Sequence, residues 1–372
     1  MKKTYLYLSI LLMAMGLVAC QKPQKIRQIW SKEEANQWYQ KQSWLVGANY
    51  IPKTAINQLE MWQADSFDTL NINKELGLAE SLGMNTMRVF LHDLLYQQDS
   101  VGFLKRMDTF LQIAERHHIK PLFVLFDSCW DPFPLLGKQR SPKPFVHNSG
   151  WVQSPGYKTL QDSTQFPRLE QYVKGTVGHF AHDERILGWD VWNEPDNLTG
   201  ASYEKVELKN KVEIVTRLLA DVFVWTRSAN PIQPITSGIW AGDWSSDSKL
   251  KAIEKLQLEQ SDVISFHNYD KAEVLEQKIT QLERYGKPLL CTEYMARPNG
   301  STFRSSLPVA QKHHVAMMNW GFVEGKTQTI YPWDSWTKQY TAEPPVWFHD
   351  IFRSDGTPYN IEEVNLIRKM LQ

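Results

Sequence analysis

The sequence predicts an α/β fold in which eight strand–helix units close into a barrel. Three observations predict it. Short apolar runs and helical stretches alternate along residues 31–372, a pattern that implies a parallel sheet with helices packed outside it. Eight such units in roughly 330 residues match the size of a TIM barrel. A doubly wound sheet that bound a nucleotide would carry a glycine-rich turn after its first strand, and Gly47-Ala48-Asn49-Tyr50 is not one.

The elements follow in order. Residues 31–42 read as a leading helix, because Ser31 and Glu34 have the spacing of a capping box. Residues 44–50 form the first strand, and a helix over 70–82 stops at Gly83. The second strand is 85–91 with a helix over 102–118, and the third is the apolar run 120–127. A stretch rich in proline and aromatic residues, 128–166, separates it from the next helix, 167–182. The fourth strand covers 186–192 and precedes a long helix over 202–228. Strand five (234–239) pairs with a helix over 249–258, and strand six (262–267) with one over 271–285. Strand seven (287–293) is followed by a helix around 307–319, strand eight is 327–333, and 361–371 is the closing helix. The connection after strand three is too long to be passive. Placed on the C-terminal face of the barrel, it would wall one side of a site and favour a pocket over an open cleft.

Composition narrows the function classes. Lysine plus arginine and aspartate plus glutamate number 41 each, so no basic excess points to nucleic acid. Fifteen tryptophans offer flat apolar faces of the kind that sugar rings stack on. Trp130, Trp151, Trp240, Trp244, Trp333 and Trp336 lie at or after expected strand ends, where stacking competes best with core packing. The N-terminus has Lys2 and Lys3, an apolar stretch over 6–18, and then Leu17-Val18-Ala19-Cys20, which matches a bacterial lipobox. The expected domains are a signal peptide over 1–19, a tether over 20–30 acylated at Cys20, and one catalytic domain over 31–372. That places the protein in the cell envelope, held to the membrane through its N-terminal lipid only. Cys129 and Cys291 remain, and are expected to be unpaired thiols.

Chemistry concentrates at two strand ends. Trp192-Asn193-Glu194-Pro195 closes the fourth strand, and Glu293 closes the seventh. Two carboxylates facing each other supply what hydrolysis of a sugar–sugar bond needs: one holds a proton for the leaving oxygen, and the other attacks or activates water. Strand alternation places Asp190, Trp192 and Glu194 on one face, and Leu289, Cys291 and Glu293 on another. It likewise groups Thr86, Arg88 and Phe90, and Val263, Ser265 and His267. Arg88, Glu194, His267 and Glu293 then converge at the barrel mouth, with Asp190 as a buried structural carboxylate deeper in. His92, Asp93, Asp127 and Asn49 are further substrate-contact candidates. The adjacent pairs His117-His118 and His313-His314 do not share a helix face, and no HExxH, GxSxG or Walker A pattern occurs. No metal or organic cofactor is expected.

With these residues in order, the chain resembles the retaining (β/α)8 glycosidases of clan A, nearest to the cellulase and mannanase type of glycoside hydrolase family 5 or the barrel domain of family 2. Arg88 matches the clan's strand-two arginine, Asn193-Glu194 its acid/base pair, His267-Asn268-Tyr269 its strand-six His-x-Tyr, Glu293 its nucleophile and Trp333 its strand-eight tryptophan. Some family 5 enzymes carry a histidine near the end of strand three where this chain has Asp127, which leaves the sugar open. The resemblance implies a covalent glycosyl-enzyme on Glu293 and proton transfers by Glu194. It implies that Arg88 and Tyr269 keep Glu293 ionised, that Asn193 bonds the sugar 2-hydroxyl, that His267 orients Glu194 and that Trp333 forms the floor. The implied substrate is a neutral β-linked oligo- or polysaccharide of glucose, mannose or xylose units. The rival readings are a lipid-anchored glycan-binding protein on an inactive barrel and a transglycosylase with the same intermediate.

Overall fold

The computed structural model describes residues 26–372; Cys20 and the expected targeting segment lie outside the described residues. Eight parallel strands form the sheet: β1 (Val46–Tyr50), β2 (Thr86–Phe90), β3 (Lys120–Val124), β4 (Gly188–Asp190), β5 (Ile235–Thr236), β6 (Ile264–Asn268), β7 (Leu289–Tyr294) and β8 (Ala316–Asn319). Their order is β5-β4-β3-β2-β1-β8-β7-β6. The ring closes between β5 and β6 through a parallel bridge from Ile239 to Phe266, so the fold is the expected (β/α)8 barrel.

The leading helix, Lys32–Gln40, has the capping box of Ser31 and Glu34. It stoppers the N-terminal mouth: Ala35 packs with Leu45, Leu122, Leu187, Val263, Leu290, Ala316 and Met318, which fill the lower barrel. The expected tether is tied down from Arg27 onward. The Arg27 guanidinium pairs with buried Asp262, and the Trp30 N–H donates to the same carboxylate at 2.8 Å.

Several boundaries differ from the sequence expectation. The second helix of the ring begins at Asp93, not 102, and runs to Arg116 through a kink at Asp99; the polar Asp99-Ser100 pair hides its first turns. The expected helix over 202–228 is broken: a short helix, Gly200–Tyr203, and a 3-10 turn, Glu204–Val206, precede a helix that begins only at Lys211. The largest correction concerns the eighth unit. Residues 327–333 are not a strand; β8 is Ala316–Asn319, and the helix before it is Phe303–Lys312. The apolar residues 315–318 continue the helical period of the preceding segment, so periodicity merges them. A left-handed residue, His314 at φ 53°, separates the two.

β1 and β2 approach very closely. A Cβ at Gly47 would fall 1.8 Å from the Thr86 carbonyl oxygen, so only glycine fits without parting the strands. Gly47→Ala is expected to lose about 1–3 kcal/mol or more of stability through overpacking, read as a lower urea midpoint. An unchanged midpoint would show that the two strands are free to part.

Candidate active site

The C-terminal ends of the strands enclose a cleft of about 350 Å³, lined by Glu194, Glu293, Asn193, Tyr269 and the tryptophans Trp130, Trp240, Trp320, Trp333 and Trp336. Four of these five tryptophans are among those expected to stack. Trp151 and Trp244 are not in the cleft: Trp151 packs edge-on against Phe90 at 5.1 Å, and Trp244 against Phe266 at 6.2 Å. Periodicity misses Trp320 because it misplaces β8. Trp320 follows β8 directly, and so holds the strand-eight position expected of Trp333. Trp333 lies farther along the connection, edge-on to Tyr269 at 5.0 Å.

Beneath the cleft, Arg88 from β2 is fully buried. Its Nε donates to Asp190 Oδ2 at 3.0 Å, and one terminal nitrogen donates to Asp190 at 2.7 Å and Asn193 Oδ1 at 2.8 Å. The other terminal nitrogen donates to Asn49 Oδ1 at 2.9 Å and Glu293 Oε1 at 2.7 Å. All five guanidinium hydrogens are therefore placed. Glu293 Oε2 accepts from the Tyr269 hydroxyl at 2.8 Å. Glu194 Oε1 lies 2.9 Å from His267 Nδ1, while its Oε2 accepts from Asn197 Nδ2 at 2.6 Å and the Cys129 thiol at 3.2 Å.

The two glutamates reach the cleft by breaking strand alternation, where the sequence pattern implies a regular strand. On β4, Asp190 faces Arg88, but Trp192 turns outward against Phe126 at 4.9 Å, which itself packs on Tyr172 of the helix Phe166–His179. Asn193 and Glu194 then both face the cleft, with Glu194 at φ 44°. On β7, Leu290 points into the barrel while Leu289 and Cys291 belong to the outer core. The ladder pairs Phe266 with Cys291 and then His267 with Glu293, so Thr292 is an extra residue. That bulge reverses the parity and aims Glu293 inward. On β2 and β6 alternation holds as expected.

The four further substrate-contact candidates are all held by partners within the protein. Asp127 holds Asn193 Nδ2 at 2.9 Å and Trp151 Nε1 at 2.6 Å; burial pushes its carboxyl up to about 6 despite these donors. His92 accepts from the Leu94 N–H as the cap of its helix. Asp93 pairs with Arg168 at 2.7 Å and accepts from the Ser154 hydroxyl. Asn49 donates to the carbonyls of Thr292 and Asn319, at 2.8 and 3.2 Å, and so braces the β7 bulge. Cys129 and Cys291 are free buried thiols. Sequence reasoning missed Cys129 and Asn197 as partners of Glu194; the short Glu194–Asn197 spacing was the available signal for the second.

The electrostatics separate the two glutamates. Burial raises both carboxyls. Against it, Glu293 has the Arg88 guanidinium at 2.7 Å and the Tyr269 phenol, whereas among the described residues Glu194 has neutral donors alone within hydrogen-bond reach. Burial also holds His267 down at about 4, so near neutral pH its imidazole is uncharged. A single proton shared by the pair therefore rests on Glu194. One oxygen of each glutamate and a nitrogen of His267 lie within 4.8 Å of one another, close enough to share a divalent cation. Arg88 and Tyr269 already take both oxygens of Glu293, and the guanidinium would repel such an ion.

No protein-family model matches the sequence, and no curated protein matches it in sequence. Solved structures match it in shape. An endo-β-1,4-mannanase from Thermotoga petrophila superposes with a TM-score of 0.55 at 14% identity, over 90% of this chain and 77% of its own. An exo-β-1,4-mannosidase from Opitutaceae bacterium strain TAV5 gives 0.57 at 17%, over 88% of this chain and 59% of its own. A GH5_18 protein from Streptomyces cattleya, in complex with GlcNAc, gives 0.57 at 11%, over 88% and 80%. The chain shares its barrel architecture with these proteins.

Arg88 pairs with two buried carboxylates, so Arg88→Met is expected to cost about 3–5 kcal/mol at neutral pH. Without the cation, Asp190 and Glu293 bind protons more tightly in the folded state than in wild type. The deficit should therefore narrow as the pH falls through the carboxylate range. Urea unfolding at two pH values reads this; an equal deficit at both would refute it.

Proposed function

We propose that this chain is a retaining β-glycosidase in which Glu293 is the nucleophile and Glu194 the acid/base. The observation that carries the reading is the Glu194–Glu293 pair at the floor of a tryptophan-lined cleft, with an oxygen of each within 4.8 Å. Retaining enzymes hold the two carboxyls about 5–5.5 Å apart, whereas inverting ones leave about 6.5–9.5 Å for a water. The pattern of partners supports the division of roles: a cation and a phenol on Glu293, and neutral donors on Glu194.

In the first step a Glu293 oxygen bonds to the anomeric carbon as the bond to the leaving oxygen breaks. That oxygen takes the proton of Glu194. In the second step Glu194 removes a proton from water, the water oxygen bonds to the anomeric carbon, and Glu293 leaves as carboxylate. Asn193, held by Arg88 and Asp127, is placed to bond the sugar 2-hydroxyl. Trp320, directly after β8, is the floor, with Trp333 as a side wall. Arg88, Asn49, Asp127 and Asp190 position these groups without touching the sugar. Among neutral sugars, β-linked mannosides are the first to test, because two of the similar structures are described as acting on β-1,4-mannosidic bonds. Attachment to the cell envelope through acylated Cys20 is part of the proposal and rests on the Leu17–Cys20 sequence.

A screen of residues 21–372 against β-mannans, β-glucans, xylans and aryl β-glycosides tests the function. Glu293→Gln is expected to abolish hydrolysis, and Glu194→Gln to reduce it about 10²–10⁴-fold, least for aryl glycosides whose leaving groups need no proton. A wild type that hydrolyses nothing, with glycan binding unchanged in Glu293→Gln, would instead favour the non-catalytic binding protein.

The pH profile gives a second test. Asn197 donates to Glu194 Oε2 and favours its ionised form. Removing that donor in Asn197→Ala raises the Glu194 pKa. Since the acid must start protonated, the alkaline limb of kcat/KM is expected to move to higher pH; a shift to lower pH would contradict the assignment.

A further inference from the structure

Two connections meet over one side of the cleft. The segment after β3 and the segment after β8 are joined by hydrogen bonds from Asn148 N–H to Thr327 O at 2.8 Å and from His147 N–H to Ser335 Oγ at 3.0 Å. Trp336 Nε1 donates to His147 O at 2.9 Å, and Gln328 Nε2 to Lys143 O at 2.7 Å. Trp336 also stacks on Trp130 with centroids 6.0 Å apart. In the sheet, β1 and β2 lie between β8 and β3. The joined segments roof the ends of those two strands, over a small cavity of about 20 Å³ bordered by Asn49, Phe90, Asn148 and Thr327. The cleft is thus walled on the β1–β2 side. Glu194, Asn197 and Trp240, after β4 and β5, lie on the other.

Asn148 stands in this wall and lines the cleft. It is 1% exposed, yet neither its Oδ1 nor its Nδ2 has a hydrogen-bond partner among the described residues. Its backbone is left-handed, at φ 47°. A buried amide unpaired at both ends costs free energy, and local strain of this kind concentrates at ligand sites. Neighbouring hydroxyls of a pyranose can present one acceptor and one donor, which is what a carboxamide pairs with.

The next step rests on the glycosidase reading. Glu194 protonates the leaving oxygen, so the leaving group extends toward β4 and β5 and the retained sugar lies on the β1–β2 side. We propose that Asn148 binds two adjacent hydroxyls of the terminal sugar in a closed pocket, and that the enzyme removes single sugars from the non-reducing end. The cleft, at about 350 Å³, is at the small end of ligand sites, which span about 300–1,000 Å³.

The test compares wild type, Asn148→Gly and Asn148→Asp on β-linked oligosaccharides labelled at the reducing end and on the matching aryl monoglycoside. Glycine suits the positive φ, so that variant removes the amide without straining the backbone. The monosaccharide is expected as the only early small product, with the labelled chain shortening one unit at a time. Asn148→Gly is expected to lower kcat/KM about tenfold or more on both substrates, because the contact is to the sugar they share. In a Glu293→Gln background the same change should weaken oligosaccharide binding measured by calorimetry. Asn148→Asp keeps an acceptor but loses the donor, and should fall between. Early release of mixed internal fragments would overturn the closed pocket. Single-sugar release with wild-type kcat/KM in Asn148→Gly would overturn the role of Asn148 alone. A wild type inactive on every glycoside would overturn the glycosidase reading and this assignment with it.

Discussion

The site depends on one buried cation. Arg88 reaches from β2 to Asn49 on β1, Asp190 and Asn193 at β4, and Glu293 on β7. Every guanidinium hydrogen is used, so the planar fork fixes four positions relative to one another. Taking an ion pair out of water is costly, and the barrel offsets that cost by giving every guanidinium hydrogen an acceptor. Asp190 and Glu293 together carry one more charge than Arg88 neutralises. Burial raises the Glu194 carboxyl, and that surplus beside it acts in the same direction.

A second layer keeps the first in place. Asp127 fixes the amide of Asn193, and Asn49 braces the carbonyls on either side of β7 and β8. These residues look like substrate ligands in the sequence because they are polar and sit at strand ends. Burial changes what they do, because a polar group with its partners inside the protein orients its neighbours and has little left for a ligand. Asn148 is the converse case, buried and unpaired at the cleft.

The barrel frame supplies regular strands, and both glutamates come from places where regularity fails. Trp192 leaves the barrel interior to pack on Phe126, and the chain recovers by placing Asn193 and Glu194 together on the cleft side. Thr292 is an added residue that turns Glu293 inward. A bulge of this sort re-aims side chains at barrel rims; here it acts with the left-handed backbone of Glu194 to bring the two carboxylates together.

Much was legible in the sequence. Strand–helix alternation gave the barrel, and the capping box at Ser31 gave the start of the first helix. The Asn-Glu at 193–194, the strand-end Glu293, and Arg88, His267 and Tyr269 all meet where they were expected. These are local signals, written in apolar periodicity and strand-end chemistry. What failed was whatever depends on partners far along the chain. The short β8 could not be told from helix, because four apolar residues fit either period until β1 and β7 pair with them, and so Trp320 went unnoticed. Parity failed at β7 because a bulge is set by the neighbouring strand, and after β4 because Trp192 packs on Phe126. His92 and Asp93 could be assigned to structural work only once Leu94, Ser154 and Arg168 were in place. The sequence by itself determined the architecture and most of the residues that meet at the cleft; tertiary packing decided which way each of them faces, because direction is fixed by contacts that no local pattern encodes.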